Sequence, residues 1–217
     1  MRRTVFLIFL LLPAVMNAGE YGRGYRRNVV RIGPYAGIAA PNVAWENNMI
    51  EMDSRVRFGY TLGCLAEFRM NNNVFFQPGL ALSNKGYRMV TELVSLLKKN
   101  HSINYLDIPL NFKMSRTHDM TDMSLFGGPY FAFGLWGKTK TTGSTIGAGT
   151  LPVTFGSDPL LDDYRRMDAG FNIGVSIEMM NFQYILQYGV GFMNISPAEN
   201  NTMRNRFLSF SIAYMIN

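Results

Sequence analysis

Residues 167–179 read MDAGFNIGVSIEM, and their period decides the fold. Met167, Ala169, Phe171, Ile173, Val175, Ile177 and Met179 are apolar, whereas Asp168, Gly170, Asn172, Gly174, Ser176 and Glu178 between them are not. Successive side chains of a strand point to opposite faces, so this segment has one apolar face and one face of glycine, amide, hydroxyl and carboxylate. The alternation recurs over Val56–Met70, from Val74 to Lys85, over Phe182–Phe192 and over Leu208–Ile216. Weaker versions run over Val30–Ile38, Leu106–Met114 and Met123–Lys138, the last with no clear phase because Phe126, Tyr130 and Trp136 oppose Leu125, Phe131, Phe133 and Leu135. Eight strands are expected.

Short and long connections also alternate. Asn71-Asn72-Asn73, Ser115–Thr121 and the turn near Asn181 are short, and Pro41–Ser54, Tyr87–Asn100, Thr139–Arg165 and Ser196–Arg204 are long. All short links fall at one end. That plan is an all-β, eight-stranded antiparallel up-and-down transmembrane β-barrel, closed so that no sheet edge meets lipid unpaired. A soluble secreted barrel of lipocalin type would put its apolar face inside and a charged face in water. Here the polar faces are poor in charge, in a chain of 217 residues with 17% charged, 13% aromatic and 21 glycines. The mean hydropathy of 0.00 excludes a polytopic helical membrane protein. Phe68, Phe76, Phe112, Phe182, Tyr184 and Tyr214 cluster toward the short rim, where an interfacial aromatic girdle is expected.

Residues 1–18 have a positive start (Arg2, Arg3), an apolar run and a small residue at Ala18, the layout of a cleaved secretory signal. Without Arg2 and Arg3 the formal charge of +6 falls to +4. Residues 19–28, with Arg23, Arg26 and Arg27, read as a short basic periplasmic leader, and 29–217 as the barrel domain. Export makes nucleic acid an unexpected partner. The single Cys64 permits no internal disulfide and reads as a small apolar strand residue.

An eight-stranded lumen holds side chains, not a wide channel. Arg31, Glu67, Arg69, Lys113 and Glu178 are expected inside near the periplasmic end, and Arg57, Lys85, Asp107 and Asp168 nearer the outside. Gln77, Asn111, Asn172 and Gln187 fall between. Mixed signs in so narrow a space predict a plug of ion pairs and hydrogen bonds. For catalysis at the outer rim, His101, Ser102 and Asp107 are the available set, since His118 falls in a periplasmic turn. No phosphate loop, HExxH or EF-hand pattern occurs, so no enzymatic activity, cofactor or metal is expected. Gly143–Gly149 reads as a flexible outer loop, Asp158, Asp162 and Asp163 as solvated acids or a calcium site, and Val90–Lys99 as a short amphipathic helix.

The stretch Gly59-Tyr60-Thr61-Leu62-Gly63, Glu67-Phe68, Phe76-Gln77-Pro78-Gly79-Leu80 and Ser83-Asn84-Lys85-Gly86 resembles the PorT-like outer-membrane β-barrel family of Bacteroidota. So do Asn104 to Leu110, Lys113 and Gly128-Pro129-Tyr130. The resemblance runs from about Val29 to the C-terminus. It implies an outer-membrane barrel in contact with lipid, with a structural or accessory role through its long loops or periplasmic rim, and, by analogy with the namesake, a component of type IX protein secretion. The chain departs from barrels that end in an aromatic residue, since its last residues are Tyr214-Met215-Ile216-Asn217.

Overall fold

A computed structural model describes residues 30–47, 54–91, 97–118, 121–142, 149–198 and 201–216. The expected signal and basic leader lie outside them. Ten strands are present among the described residues: β1 Val30–Asn47, β2 Ser54–Arg55, β3 Gly59–Arg69, β4 Val74–Thr91, β5 Leu97–His118, β6 Thr121–Thr142, β7 Gly149–Pro152, β8 Met167–Met179, β9 Phe182–Gly191 and β10 Asn201–Tyr214. Eight are long, and each pairs antiparallel with two neighbours in the order β1-β3-β4-β5-β6-β8-β9-β10, with β1 and β10 closing the ring. The two short strands lie outside the ring path: β2 pairs with β4, and β7 with β6.

The apolar phase faces outward. Ile32, Ile38, Leu62, Leu80, Phe171, Leu186, Phe210 and Ile212 are exposed, while their polar-phase neighbours are buried in the lumen. At the short rim the expected girdle is built from neighbouring strands. Phe68, Phe76 and Phe112 form a ladder with centroids 6.4 and 5.2 Å apart, and Phe182 lies 5.1 Å from Tyr214. The Met180-Asn181 turn is tight enough to hold Met180 at a φ of 57°.

Three sequence expectations change. First, the strands outrun the lipid. β5 and β6 have 22 residues each, about twice the 9–11 needed to cross a bilayer. β1 continues past Pro41 to Asn47, and β4 and β5 run into the two ends of the stretch read as a helix, to Thr91 and from Leu97. Val90 pairs with Lys98 and Thr91 with Leu97, so the ladder begun deep in the barrel overrides the helical spacing of Val90–Lys99; residues 92–96 lie outside the described set. Second, the ambiguous phase of Met123–Lys138 has two causes, lumen-facing aromatics at Phe126 and Tyr130 and a bulge before Trp136. Asn104 faces Trp136 but Tyr105 faces Gly134, which leaves Leu135 as the extra residue. Below the bulge Phe126 and Tyr130 point inward; at it, Leu135 and Trp136 are both exposed. Third, Val56–Phe58 is irregular, and pairing resumes only at Ser54-Arg55.

Above the bulge the outward face of β6 changes from Phe131, Phe133, Leu135 and Trp136 to Lys138 and Lys140. The hydrocarbon ends there. Beyond it the polarity inverts: Val43, Tyr87, Ile103, Tyr105, Tyr164, Ile195, Met203 and Phe207 form an apolar core inside the mouth. Lumen aromatics are seated on glycines of adjoining strands. The Phe207 ring lies on Gly189, Phe126 on Gly174 and Tyr130 on Gly170, positions where an added Cβ would strike the ring.

Candidate functional site in the lumen and mouth

Near the periplasmic end, four charges from four strands meet. Arg31 on β1 donates to Glu67 of β3 at 2.5 Å and to Glu178 of β8 at 2.5 and 3.0 Å. Lys113 of β5, fully buried, contacts the second oxygen of Glu67 and lies 3.9 Å from Glu178. β8 is not a ring neighbour of β1, so the pairs cross the lumen. Gln77 Nε2 donates to Glu67 (3.3 Å) and to Gln183 Oε1 (3.2 Å), and Gln183 donates to Ser176 (3.1 Å). Two cations and two carboxylates cancel, which is how charge tolerates a dry interior.

A second polar layer lies higher. Lys85 Nζ donates to Asp107 at 2.7 Å and stands over the rings of Tyr105, Tyr130 and Phe207 at 5.1, 4.6 and 5.0 Å. Asp168 Oδ2 accepts from Asn205 Nδ2 (2.9 Å) and Tyr130 OH (3.2 Å). Between the layers a cavity of about 60 Å³ is lined by Asn111, Asn172 and the half-buried Gln187, among others. Asn111 Oδ1 and Asn172 Oδ1 have no partner among the described residues, so the cavity is sized and lined for a few waters.

Two expected lumen residues sit elsewhere. Arg69 is the last residue of its strand and reaches water at the rim, where it donates to Asn71 O and Asn72 Oδ1 of the turn. Arg57 falls in the irregular segment, so the strand phase does not apply to it. It donates to Asn84 Oδ1, in a chain with Asn104 and the hydroxyl of Tyr60, away from the lumen charges. Sequence reasoning left out Gln183, Tyr130 and Asn205. Gln183 carried a usable signal, an amide between outward Phe182 and Tyr184; Asn205 sits before the part of β10 that alternates against lipid.

At the mouth, His101 and Ser102 part company, as adjacent strand residues must. Ser102 pairs with Asn84, and Asp107 is held by Lys85. His101 lies beyond the hydrocarbon, opposite Thr139. Its Nδ1 is 2.8 Å from Tyr164 OH and 3.1 Å from Thr139 Oγ1, and its ring stacks on Tyr87 at 4.6 Å. Burial, reinforced by Lys99 and opposed by Asp163, pushes the imidazole down to about 4, so it is neutral at pH 7. Burial also raises Tyr164 well above the ordinary phenol range and Tyr87 to about 12. The loop acids serve their own turn: Asp162 Oδ2 accepts from Asp158 N, and Asp163 Oδ2 from Thr154 N and Oγ1. Among the described residues no three His, Cys, Asp or Glu side chains converge to hold a metal. His118 ends β5, and its side chain lies outside the described set.

A closed antiparallel ring with a lipid-type exterior, an aromatic girdle and a packed polar lumen defines an outer-membrane β-barrel. The chain belongs to the outer membrane protein beta-barrel domain family, whose model matches residues 23–196. Among solved structures it is similar to OprG from Pseudomonas aeruginosa, with 11% identity over 87% of this chain and 95% of that one and a TM-score of 0.51. It is also similar to Ail of Yersinia pestis, with 12% identity over 86% and 98% and a TM-score of 0.45. A third is Neisserial surface protein A, with 11% identity over 83% and 96% and a TM-score of 0.43. At such identities the likeness is one of fold. No curated protein sequence matches the chain.

Proposed function

We propose that the protein is a non-conducting, non-enzymatic outer-membrane barrel that works through contacts of its outer extension or periplasmic rim with other envelope proteins. The observation that carries this reading is the Arg31, Glu67, Lys113 and Glu178 set, which fills the lumen from wall to wall. A lumen closed by paired charge leaves the rims as the working surfaces. The absence of enzymatic chemistry is supported by the separation of His101 from Ser102 and Asp107. Residues 1–18 act as the cleaved export signal and 19–28 as a basic periplasmic leader. The PorT-like motifs from Gly59 to Gly86 and from Asn104 to Lys113 support placement in that family, and a protein-export machinery of type IX class as the partner.

The purified barrel in planar bilayers is expected to give no stable conductance steps, and an unheated sample to migrate differently from a boiled one on a denaturing gel. Large, stable, water-filled pores overturn the closed-lumen reading. A detergent-free soluble monomer would contradict the membrane assignment.

A further inference from the structure

On the loop side of the aromatic core lies a second cavity of about 380 Å³, within the ~300–1,000 Å³ range of small-molecule sites. Trp45 of β1, Tyr87 of β4, His101 of β5, Tyr164 of the loop after β7, and Asn201 and Met203 of β10 contribute to its wall. The rings are contiguous: Trp45 meets Tyr87 edge-on at 6.1 Å, Tyr87 stacks on His101, and His101 meets Tyr164 edge-on at 6.1 Å.

Among the described residues, three polar atoms in this wall have no hydrogen-bond partner and are shut off from water: Trp45 Nε1, His101 Nε2 and Asn201 Oδ1. Buried polar atoms are almost always paired, and three orphans around one cavity call for an absent partner. Their chemistry is specific. Trp45 Nε1 is a donor and Asn201 Oδ1 an acceptor. The imidazole Nδ1 already meets the hydroxyls of Tyr164 and Thr139, which leaves Nε2 to donate where Nδ1 accepts and to accept where Nδ1 donates. The charged residues of the wall are Lys99, exposed at the edge, and Asp162 and Asp163, each of which uses an oxygen on its own loop. Both signs are present, so the wall offers no single-signed field that would select an ionic ligand. A ring with one apolar face and hydroxyls that both donate and accept meets every group.

We propose that this outer cleft binds a neutral saccharide ring, with its C–H face on Tyr87 and Trp45 and its hydroxyls on Trp45 Nε1, His101 Nε2 and Asn201 Oδ1. The orphan atoms are closed off from water in this arrangement of the rings, so the rings part as the sugar enters and the indole environment changes. The site does not depend on whether the lumen conducts. It faces the outside, where sugar rings occur both free and on glycolipid headgroups.

The chain has two tryptophans, so Trp136→Phe leaves Trp45 as the only indole reporter. The folded protein in detergent micelles is titrated with an N-acetylglucosamine disaccharide, a neutral hexose disaccharide and, as acyclic control, sorbitol; a parallel arm uses a neutral glycosyl diacylglycerol in phosphatidylcholine vesicles. A saturable change in Trp45 emission with a free disaccharide or with the glycolipid is expected, weakened at least tenfold by Asn201→Ala and lost in Tyr87→Leu, each variant first shown folded by its unheated gel mobility. Response to the glycolipid alone assigns a lipid headgroup as source; response to a disaccharide assigns free glycan. The proposal fails if neither saccharide form saturates, if sorbitol matches the disaccharides, or if the folded Asn201→Ala variant binds unchanged.

Discussion

Replacing Glu67 with glutamine tests whether the lumen charges act as one unit. The Glu67 side chain is 1% exposed, accepts from Arg31 at 2.5 Å and contacts Lys113. Glutamine keeps the shape and removes one negative charge, so the quartet gains a net positive charge in a dry interior. Arg31 keeps Glu178 at 2.5 and 3.0 Å, and Lys113 keeps the 3.9 Å contact with Glu178. Breaking a buried pair from one side costs about 3–5 kcal/mol. Adding Lys113→Met removes the surplus cation, and an apolar replacement of a buried pair is often close to neutral. The double variant should therefore recover most of the loss, with a coupling energy of at least about 2 kcal/mol. Urea titration of the barrel in phosphatidylcholine vesicles, followed by tryptophan emission and by the folded fraction on unheated gels, measures all three. A Glu67→Gln cost below about 1 kcal/mol, or a double-variant cost equal to the sum of the singles, would refute the idea that these charges are balanced against one another.

The remaining predictions concern the mouth and the wall. His101 is held at about 4 against an ordinary 6.5, so as pH falls through that window the unfolded chain takes the proton first. Stability present above pH 6.5 should drop by at most roughly 3 kcal/mol by pH 4, and His101→Phe should flatten that slope; an unchanged slope in urea titrations rejects the assignment. Gly86 sits at φ 140° with the His101 carbonyl where a Cβ would be, so Gly86→Ala should cost about 1–3 kcal/mol; an unaltered urea midpoint would say that the strand can relax. Cys64 is exposed between Pro34 and Leu80 on the lipid-facing wall. In vesicles it should react with an apolar maleimide and resist a charged one, and full labelling by the charged reagent would place it in water.

What could be read from the sequence followed the solvent. Between the girdle and Trp136 each strand has lipid on one side and a narrow lumen on the other, so period two is strong and the lumen charges can be named one by one. The rule stopped at Tyr87 and Thr139 because the environment inverts there: the lumen side becomes aromatic and the outer side becomes Lys138 and Lys140. A reading that follows one apolar phase takes the inversion for the end of the strand. Arg57 and Arg69 were misplaced for local reasons, an irregular segment and a strand end. The mouth cluster was out of reach, because Tyr164 arrives from a loop after β7 and Trp45 from a stretch of β1 that alternates against no lipid.

That inversion also separates two kinds of polar satisfaction. Below it, polar groups satisfy one another across the lumen: Arg31 with Glu67 and Glu178, and Gln77 with Gln183. Such a network fixes the barrel and offers nothing outward. Above it, the rings of Trp45, Tyr87, His101 and Tyr164 pack on one another while Trp45 Nε1, His101 Nε2 and Asn201 Oδ1 have no partner among the described residues. An apolar core would close a barrel mouth more stably with phenylalanine at such positions, since each orphan costs about 1–3 kcal/mol. Stability therefore does not explain why these side chains carry polar atoms, whereas the charges beneath them are matched to one another. The proposed recognition at the mouth draws on the first group, and the closed lumen on the second.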